Sequence, residues 1–335
     1  MQDQRTDEDF VQLTDRYRPE LLAHCYRMLG SVHDAEDLVQ ETYLRAWRSY
    51  HGFEGKSSLR TWLYRIATNA CLTALDSRSR RPLPTGLGNP SADPADPLVE
   101  QTEVPWLEPL PDAMLGAMGS DPAAVVASRE SIRLALIAAL QHLPARQRAA
   151  FVLHDALKLR AAEIAEVLDV STAAVNSMLQ RARVQLDQAG LSEDDVVEPT
   201  DPGQRELLDR YVRALESKDI PAIIKLFVHD AVWEMPPFTG WYSGPDHIGQ
   251  LIGSHCPAGP GEMRLLPTEA NGQPAFAMYI RGKGGGWEAF QLQVVTLTAA
   301  GISHMAAFFD LTLFTTFGLP MTMPADMQPA AAGTQ

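Results

Sequence analysis

Between residues 82 and 122 the chain holds nine prolines and neither lysine nor arginine. A prolyl ring removes a backbone donor and collides with the carbonyl one turn back, so no helix and no central strand can run through such a stretch. The chain must therefore fold as separate modules on either side of it, and its 335 residues exceed what one ordinary core organises. A hydrophobic fraction of 45% with 21% charged residues belongs to soluble globular domains with a sizeable core. No apolar run is long enough to span a bilayer, so no membrane is expected as a partner, and the N-terminal MQDQRTDEDF is acidic and polar, unlike a secretory signal. Cys25, Cys71 and Cys256 lack metal-ligand spacing, which points to a reducing cytoplasm and to neither a metal nor a cofactor.

The net charge of −14 argues against nucleic-acid binding until it is resolved by segment. Residues 1–81 balance twelve basic against twelve acidic side chains, and residues 128–190 carry eight against six. Residues 82–127 hold seven acidic side chains and no basic one, and residues 191–335 hold eight basic against seventeen acidic. The acidity thus sits in the Pro-rich stretch and the C-terminal third, leaving the other two segments free to present basic faces.

Apolar residues three and four apart predict helices through residues 7–81 and again from 122 to about 189, with Pro144 at a helix start. Residues 82–124 read as an acidic, extended linker, interrupted by the apolar patch Val104, Pro105, Trp106 and Leu107. A second helical module occupies 125–190, and a short acidic linker follows it. Residues 204–229 are predicted helical, through Leu207, Leu208, Tyr211, Val212 and Leu215. Short runs at 231–235, 263–268, 275–281, 289–298 and 302–313 then predict an antiparallel meander, giving an α+β domain over 204–320. The tail from Thr322, rich in Met, Pro and Ala, is expected to fray.

Residues 159–183 have the pattern of a helix-turn-helix. Ile164, Val167 and Leu168 give one helix its apolar face, residues 168–170 make the turn, and Ser171 is placed to cap a second helix with a buried stripe of Val175, Leu179 and Ala182. Thr172, Ala173, Asn176, Ser177, Gln180, Arg181 and Arg183 then face outward, where hydroxyls and amides reach base edges and arginines meet phosphates. An ordinary helical hairpin has the same pattern. In the N-terminal module, residues 33–47 (HDAEDLVQETYLRAW) form a helix with Asp34 placed to cap it and Glu36, Asp37 and Glu41 near its positive end. Leu38, Thr42 and Arg45 fall on one face and Val39, Tyr43 and Ala46 on another, so the helix packs inward and also offers a surface.

That string stands between YRPELLAHCYRMLG at 17–30 and YHGFEGKSSLRTWLYRIATNA at 50–70. In motif order and spacing this resembles region two of the extracytoplasmic-function (ECF) subfamily of the sigma-70 RNA polymerase sigma factors. The Leu143-Pro144-Ala145-Arg146-Gln147-Arg148 start before the helix-turn-helix resembles region four of the same family. The resemblance implies that core RNA polymerase docks on Asp34, Asp37, Leu38, Gln40, Glu41 and Arg45. It further implies that the −10 element of promoter DNA is bound by Phe53, Lys56, Ser57, Ser58, Arg60, Arg65, Asn69, Arg78, Arg80 and Arg81. The −35 element would fall to Arg160, Ser171, Thr172, Ala173, Asn176, Ser177, Gln180, Arg181 and Arg183. Trp62 and Tyr64 suit a core role as well as a DNA role. The acidic linker, which in the family threads near the active centre, reads either as a mimic of RNA or as a solvated spacer.

The C-terminal stretch, through residues 211–219, 226–237 and 240–244, resembles the SnoaL-like branch of the nuclear-transport-factor-two fold, a cone of curved sheet and helices around a pocket. Trp233, Phe238, Trp241, Tyr242, Tyr279 and His304 are the candidate lining for a small apolar ligand, with Glu234, His255 and Asp310 as further polar candidates. The whole is expected to be two all-α modules followed by an α+β cone-shaped domain that regulates a promoter-specificity subunit without catalysis of its own. The alternatives are an isomerase- or cyclase-fold enzyme or ligand sensor joined to a helix-turn-helix, and a plain helix-turn-helix repressor.

Overall fold

Gly30 sets the first corner of the fold. In a computed structural model, which describes residues 7–55, 57–77, 80–116, 131–188 and 202–325, helices α1 (Asp7–Thr14) and α2 (Arg18–Leu29) lead up to it. Gly30 closes α2 at φ +69°, a conformation that costs a residue with a Cβ. The chain then enters α3 (Val32–Ser49), whose first turn is capped by Ser31: its Oγ accepts the Asp34 N–H at 3.1 Å. Asp34 is therefore not the cap, because the helix starts two residues before it. Helix α4 (Leu59–Leu75) follows, capped by Ser58, and α2, α3 and α4 bury Leu21, Leu22, Met28, Val32, Val39 and Leu63 among them. Cys25 and Cys71 are free thiols in that interior and act as small apolar packing groups.

The chain divides into two units: Met1–Arg81 with Leu107–Leu191, and Pro82–Trp106 with Ser192–Gln335. The first therefore holds both helical modules. Its second module comprises α5 (Leu134–Leu140), α6 (Ala145–Phe151), a wide turn at Val152–Ala156, α7 (Ala161–Leu168) and α8 (Thr172–Gln188). The part of the expected helical run at 122–130 lies outside the described residues. Helix α4 packs against α6 and α7, and α2 packs against α5 and α6.

Two buried arginines join the modules. Arg148 on α6 is 4% exposed and donates to the Met28 carbonyl, to Gln141 Oε1 at 2.7 Å and to the Leu143 carbonyl at 3.2 Å. Arg27 on α2 donates to the Ser131 carbonyl at 3.1 Å and to its hydroxyl at 2.5 Å. Burial pulls both guanidinium groups down to about 10.

In the second unit, α9 (Pro202–Glu216), α10 (Ile220–Ile224) and α11 (Pro245–His255) cover one face of a sheet. The strands are β1 (Phe227–Glu234), β2 (Trp241–Ser243), β3 (Met263–Ala270), β4 (Gln273–Arg281), β5 (Trp287–Thr298), β6 (Gly301–Phe308) and β7 (Thr322–Met323). Their order is β2-β1-β6-β5-β4-β3, with β7 on β5. Only β3 to β6 form the expected meander, since β6 lies parallel to β1. That pairing needs Gly301, where a Cβ would sit 2.7 Å from the Leu226 carbonyl oxygen. Alternation sends Trp233, Met235, Phe276, Met278, Val295 and Met305 to the helix side, against Tyr211, Leu215, Ile248 and Leu251. Helix α12 (Thr312–Thr316) follows β6, and of the tail expected to fray, Thr322 and Met323 pair in β7 while residues 326–335 lie outside the described residues.

The stretch expected to run as an extended tether is bound on both sides. Residues 82–106 lie along the α+β domain as a strap. The Thr85 N–H donates to Glu234 at 3.0 Å, Trp241 Nε1 donates to the Gly88 carbonyl at 2.9 Å, and the Ser91 N–H donates to the Trp241 carbonyl at 2.8 Å. His255 Nε2 lies 2.9 Å from the Pro94 carbonyl, and the Gln101 and Thr239 N–H groups bond Pro237 and Val99. Residues 107–115 pack instead on the first unit through Leu107, Leu110 and Leu115. Proline limits regular structure here to single 3-10 turns at Pro84–Gly86 and Asp112–Leu115 without blocking attachment, since the carbonyls and remaining N–H groups still seek partners.

Candidate functional site

Helix α3 divides its residues sharply. Leu38, Val39, Thr42 and Ala46 are buried, so Leu38, expected on the polymerase face, is a core residue with 7% exposure. The outward face carries Asp37, Gln40, Glu41, Arg45 and two large apolar side chains, Leu44 at 54% and Trp47 at 46% exposure. Gln40, Leu44 and Trp47 follow one another at helical spacing, with the Glu41–Arg45 ion pair beside them at 2.5 Å. The 3.6-residue period could have found Leu44 and Trp47, since both fall opposite the buried stripe.

The N-terminal end of α3 is tied down. Asp34 pairs with Arg81 at 2.5 Å, and Glu108 accepts from the Ser31 hydroxyl at 2.8 Å and meets His33 Nδ1 at 2.9 Å. Two carboxylates at a helix N-terminus suit its dipole, and Arg81 bridges them by also approaching Glu108 at 3.6 Å. Glu108, from the linker, gave no signal in the sequence, because its partners Ser31 and His33 lie more than seventy residues away.

The −10 candidates separate into exposed and engaged groups. Arg65 and Asn69 lie exposed on α4. Phe53 stacks on Trp62 with centroids 4.8 Å apart, and Ser58 is occupied as the α4 cap. Arg60 pairs with Glu20 at 2.7 Å and lies over the Tyr64 ring, while Arg80 bonds His142 at 2.9 Å. Arg81 is held by Asp34. Ser57 is half-buried, and Lys56 and Arg78 lie outside the described residues. Of the two ambiguous aromatics, Tyr64 is fully buried and Trp62 half-buried.

The helix-turn-helix places its residues as its pattern predicts. Asp169 turns the chain at φ +52°, Ser171 Oγ accepts the Ala174 N–H at 3.2 Å, and Val175, Met178, Leu179, Ala182 and Leu186 are buried. Thr172, Ala173, Asn176, Gln180, Arg181 and Arg183 are exposed along one helix. Ser177 is half-buried and holds the Arg181 guanidinium at 2.8 Å. Arg183 lies 3.8 Å from Asp155, and Arg160 pairs with Glu163 at the start of α7.

In the α+β domain the candidate pocket residues do not converge on one cavity. Trp233 and Tyr242 are packed in the helix-side core, and Tyr279 stands on the opposite face against Phe314. Phe238 meets Phe309. Glu234, fully buried, binds His304 at 2.7 Å with one oxygen and the Thr85 N–H with the other. Glu234, Trp241 and His255 are thus among the side chains that hold the strap, and the Tyr242 hydroxyl is hydrogen-bonded to its Ser91. Asp310 accepts from the Thr312 N–H and hydroxyl at the start of α12.

A helical module built on α2 to α4, followed by a capped helix-turn-helix, is the arrangement of the sigma-70 class of transcription-initiation proteins. The Sigma-70 region 2 model matches residues 13–81 and the Sigma-70 region 4 model matches residues 133–186. The chain belongs to the ECF RNA polymerase sigma factors: it is 58% identical over 314 residues to SigG of Mycobacterium tuberculosis, covering 93% of this chain and 84% of that one. It is 33% identical to SigJ of the same organism, over 71% of this chain and 67% of the relative. The crystal structure of SigJ superposes with a TM-score of 0.61 at 25% identity, covering 93% of this chain and 99% of that one. Two helical regions followed by a sheet-containing domain are common to both, and proteins of this family bind RNA polymerase and promoter DNA. No helix among the described residues is long and apolar enough to cross a membrane.

Proposed function

We propose that this sigma factor is held closed by its own linker and α+β domain, and that it directs polymerase to a promoter once the linker is released. The −10 and −35 elements are separate sites on promoter DNA, and each base pair between them adds about 3.4 Å of helix axis. Helices α4 and α8, assigned to those two elements, belong to one packed unit, in which α4 packs against α6 and α7. Separating them requires slack in residues 82–115, and that slack is taken up by the strap and by the Glu108 contacts. The docked strap is the observation that carries this reading.

The assignments within it are Asp37, Gln40, Glu41, Leu44, Arg45 and Trp47 for core polymerase, Arg65 and Asn69 with the arginines freed at 80 and 81 for the −10 element, and α8 for the −35 element. The Glu234–His304 pair has the composition of a general acid–base couple. Both of its carboxylate oxygens are already engaged, one by the strap, which favours a lock over a catalytic group. The candidate apolar-ligand residues likewise serve the strap or the core.

Co-purification with core polymerase and promoter-dependent transcription test the proposal on the full chain and on a chain ending at residue 189. The shortened chain is expected to bind core more tightly and to transcribe more. Equal transcription from the two would remove the regulatory reading, and failure of both to bind core would remove the assignment of α3.

A further inference from the structure

We propose that the groove between α9 and α10 binds a small molecule carrying two or more phosphate charges, such as a nucleotide. The groove encloses about 370 Å³, within the range of small-ligand sites. Its rim carries Arg210, Arg213 and Lys225, and its floor is Ala214 and Leu226. None of these three cations has an ion-pair partner among the described residues. Asp219, the single carboxylate in the lining, accepts the Ala222 N–H at 3.0 Å as the cap of α10.

Arg210 and Arg213 stand one turn apart on the exposed face of α9, each four residues after a carboxylate, Glu206 and Asp209. The segment from residue 191 onward carries eight basic residues against seventeen acidic, yet three of the eight converge on this groove. The other cations nearby are committed to holding the domain together. Lys218 Nζ donates to the Cys256 and Ala258 carbonyls at 2.9 Å, and Arg264 pairs with Glu216 at 3.4 Å. Two planar guanidinium forks and an ammonium suit adjacent phosphates, and the apolar floor suits the uncharged body of the ligand. This site is separate from the strap contacts and does not depend on the proposal made for them.

Calorimetry on the full-length chain with pyrophosphate, ATP and inorganic phosphate as probes decides the matter. Pyrophosphate and ATP are expected to bind more tightly than phosphate. The R210A/R213A double variant is expected to weaken them about tenfold or more, K225A less, and K283A, at a turn far along the sheet, not at all. No heat from the parent chain at millimolar pyrophosphate overturns the proposal, as does binding that is equal in parent and double variant. Short duplex DNA serves as the competing probe: if the double variant loses DNA binding while the parent ignores pyrophosphate, the groove reads a nucleic-acid backbone instead. Circular dichroism of each variant separates loss of binding from loss of fold.

Discussion

His24 shows how one buried side chain makes an entire unit sensitive to acid. It is fully buried, bonded through Nε2 to Thr68 at 2.9 Å, and burial takes it from 6.5 down to about 3. The unfolded chain therefore binds a proton below 6.5 that the folded chain refuses, so stability is complete above that pH and is lost as pH falls toward 3. The expected slope is about 1.4 kcal/mol per pH unit within the window, and chemical denaturation of the parent against His24→Gln measures it. A parent slope no steeper than that of the variant would refute the assignment. Arg148 gives a second test at this scale. Replacing it with Met keeps the stem but leaves the Met28 and Leu143 carbonyls without their donor, and the urea midpoint is expected to fall by the equivalent of about 2–3 kcal/mol. Neither residue announced its role in the sequence. A histidine and an arginine on amphipathic helices look like surface residues until the partner 44 or 120 positions away is known.

Among elements, the helix-turn-helix was the most legible, because its cap, turn and apolar stripe all lie within 25 residues. Exchanging Asn176 or Gln180 for Ala is expected to cost about 1–3 kcal/mol at one promoter position and little elsewhere. Replacing Arg181 or Arg183 is expected to weaken binding evenly across sequences and to lower the salt slope by about one. Gel shifts at several salt concentrations separate the two behaviours. The parallel β1–β6 pairing and helix α11 escaped the sequence reading. Strand alternation fixes which face is buried but not which strand lies alongside, and Ile248, Leu251 and Ile252 sit in a stretch rich in Gly and His. The linker's attachment is hidden for a related reason: a Pro-rich stretch shows that no long helix or strand can form, and says nothing of which loops its backbone groups bond. Glu234→Ala is expected to raise amide exchange across residues 85–101 by roughly ten- to hundredfold, the loss of about 1–3 kcal/mol of buried bonding. Unchanged exchange there would deny Glu234 its place in holding the strap.

At the scale of the molecule, the two helical regions were recognisable, whereas their closure against each other was not, because it depends on contacts such as Arg27 with Ser131 that no local pattern encodes. Leu44→Glu is expected to weaken core polymerase binding at least tenfold with little shift of the thermal midpoint, since more than half of that side chain already stands in solvent. Pull-down against core, set beside a melting curve, checks it. The division of the chain also has a consequence in time. The first unit is complete once residue 191 has been made, but the second needs both the strap and residues 192–325. At 5–20 residues per second, a ribosome takes about 7–27 s to supply that remainder. For that interval each new chain carries its two helical modules and a strap whose partner domain has not yet been made. On the proposal that the docked strap holds the factor closed, the age of a molecule, counted from its own synthesis, becomes a variable in its activity.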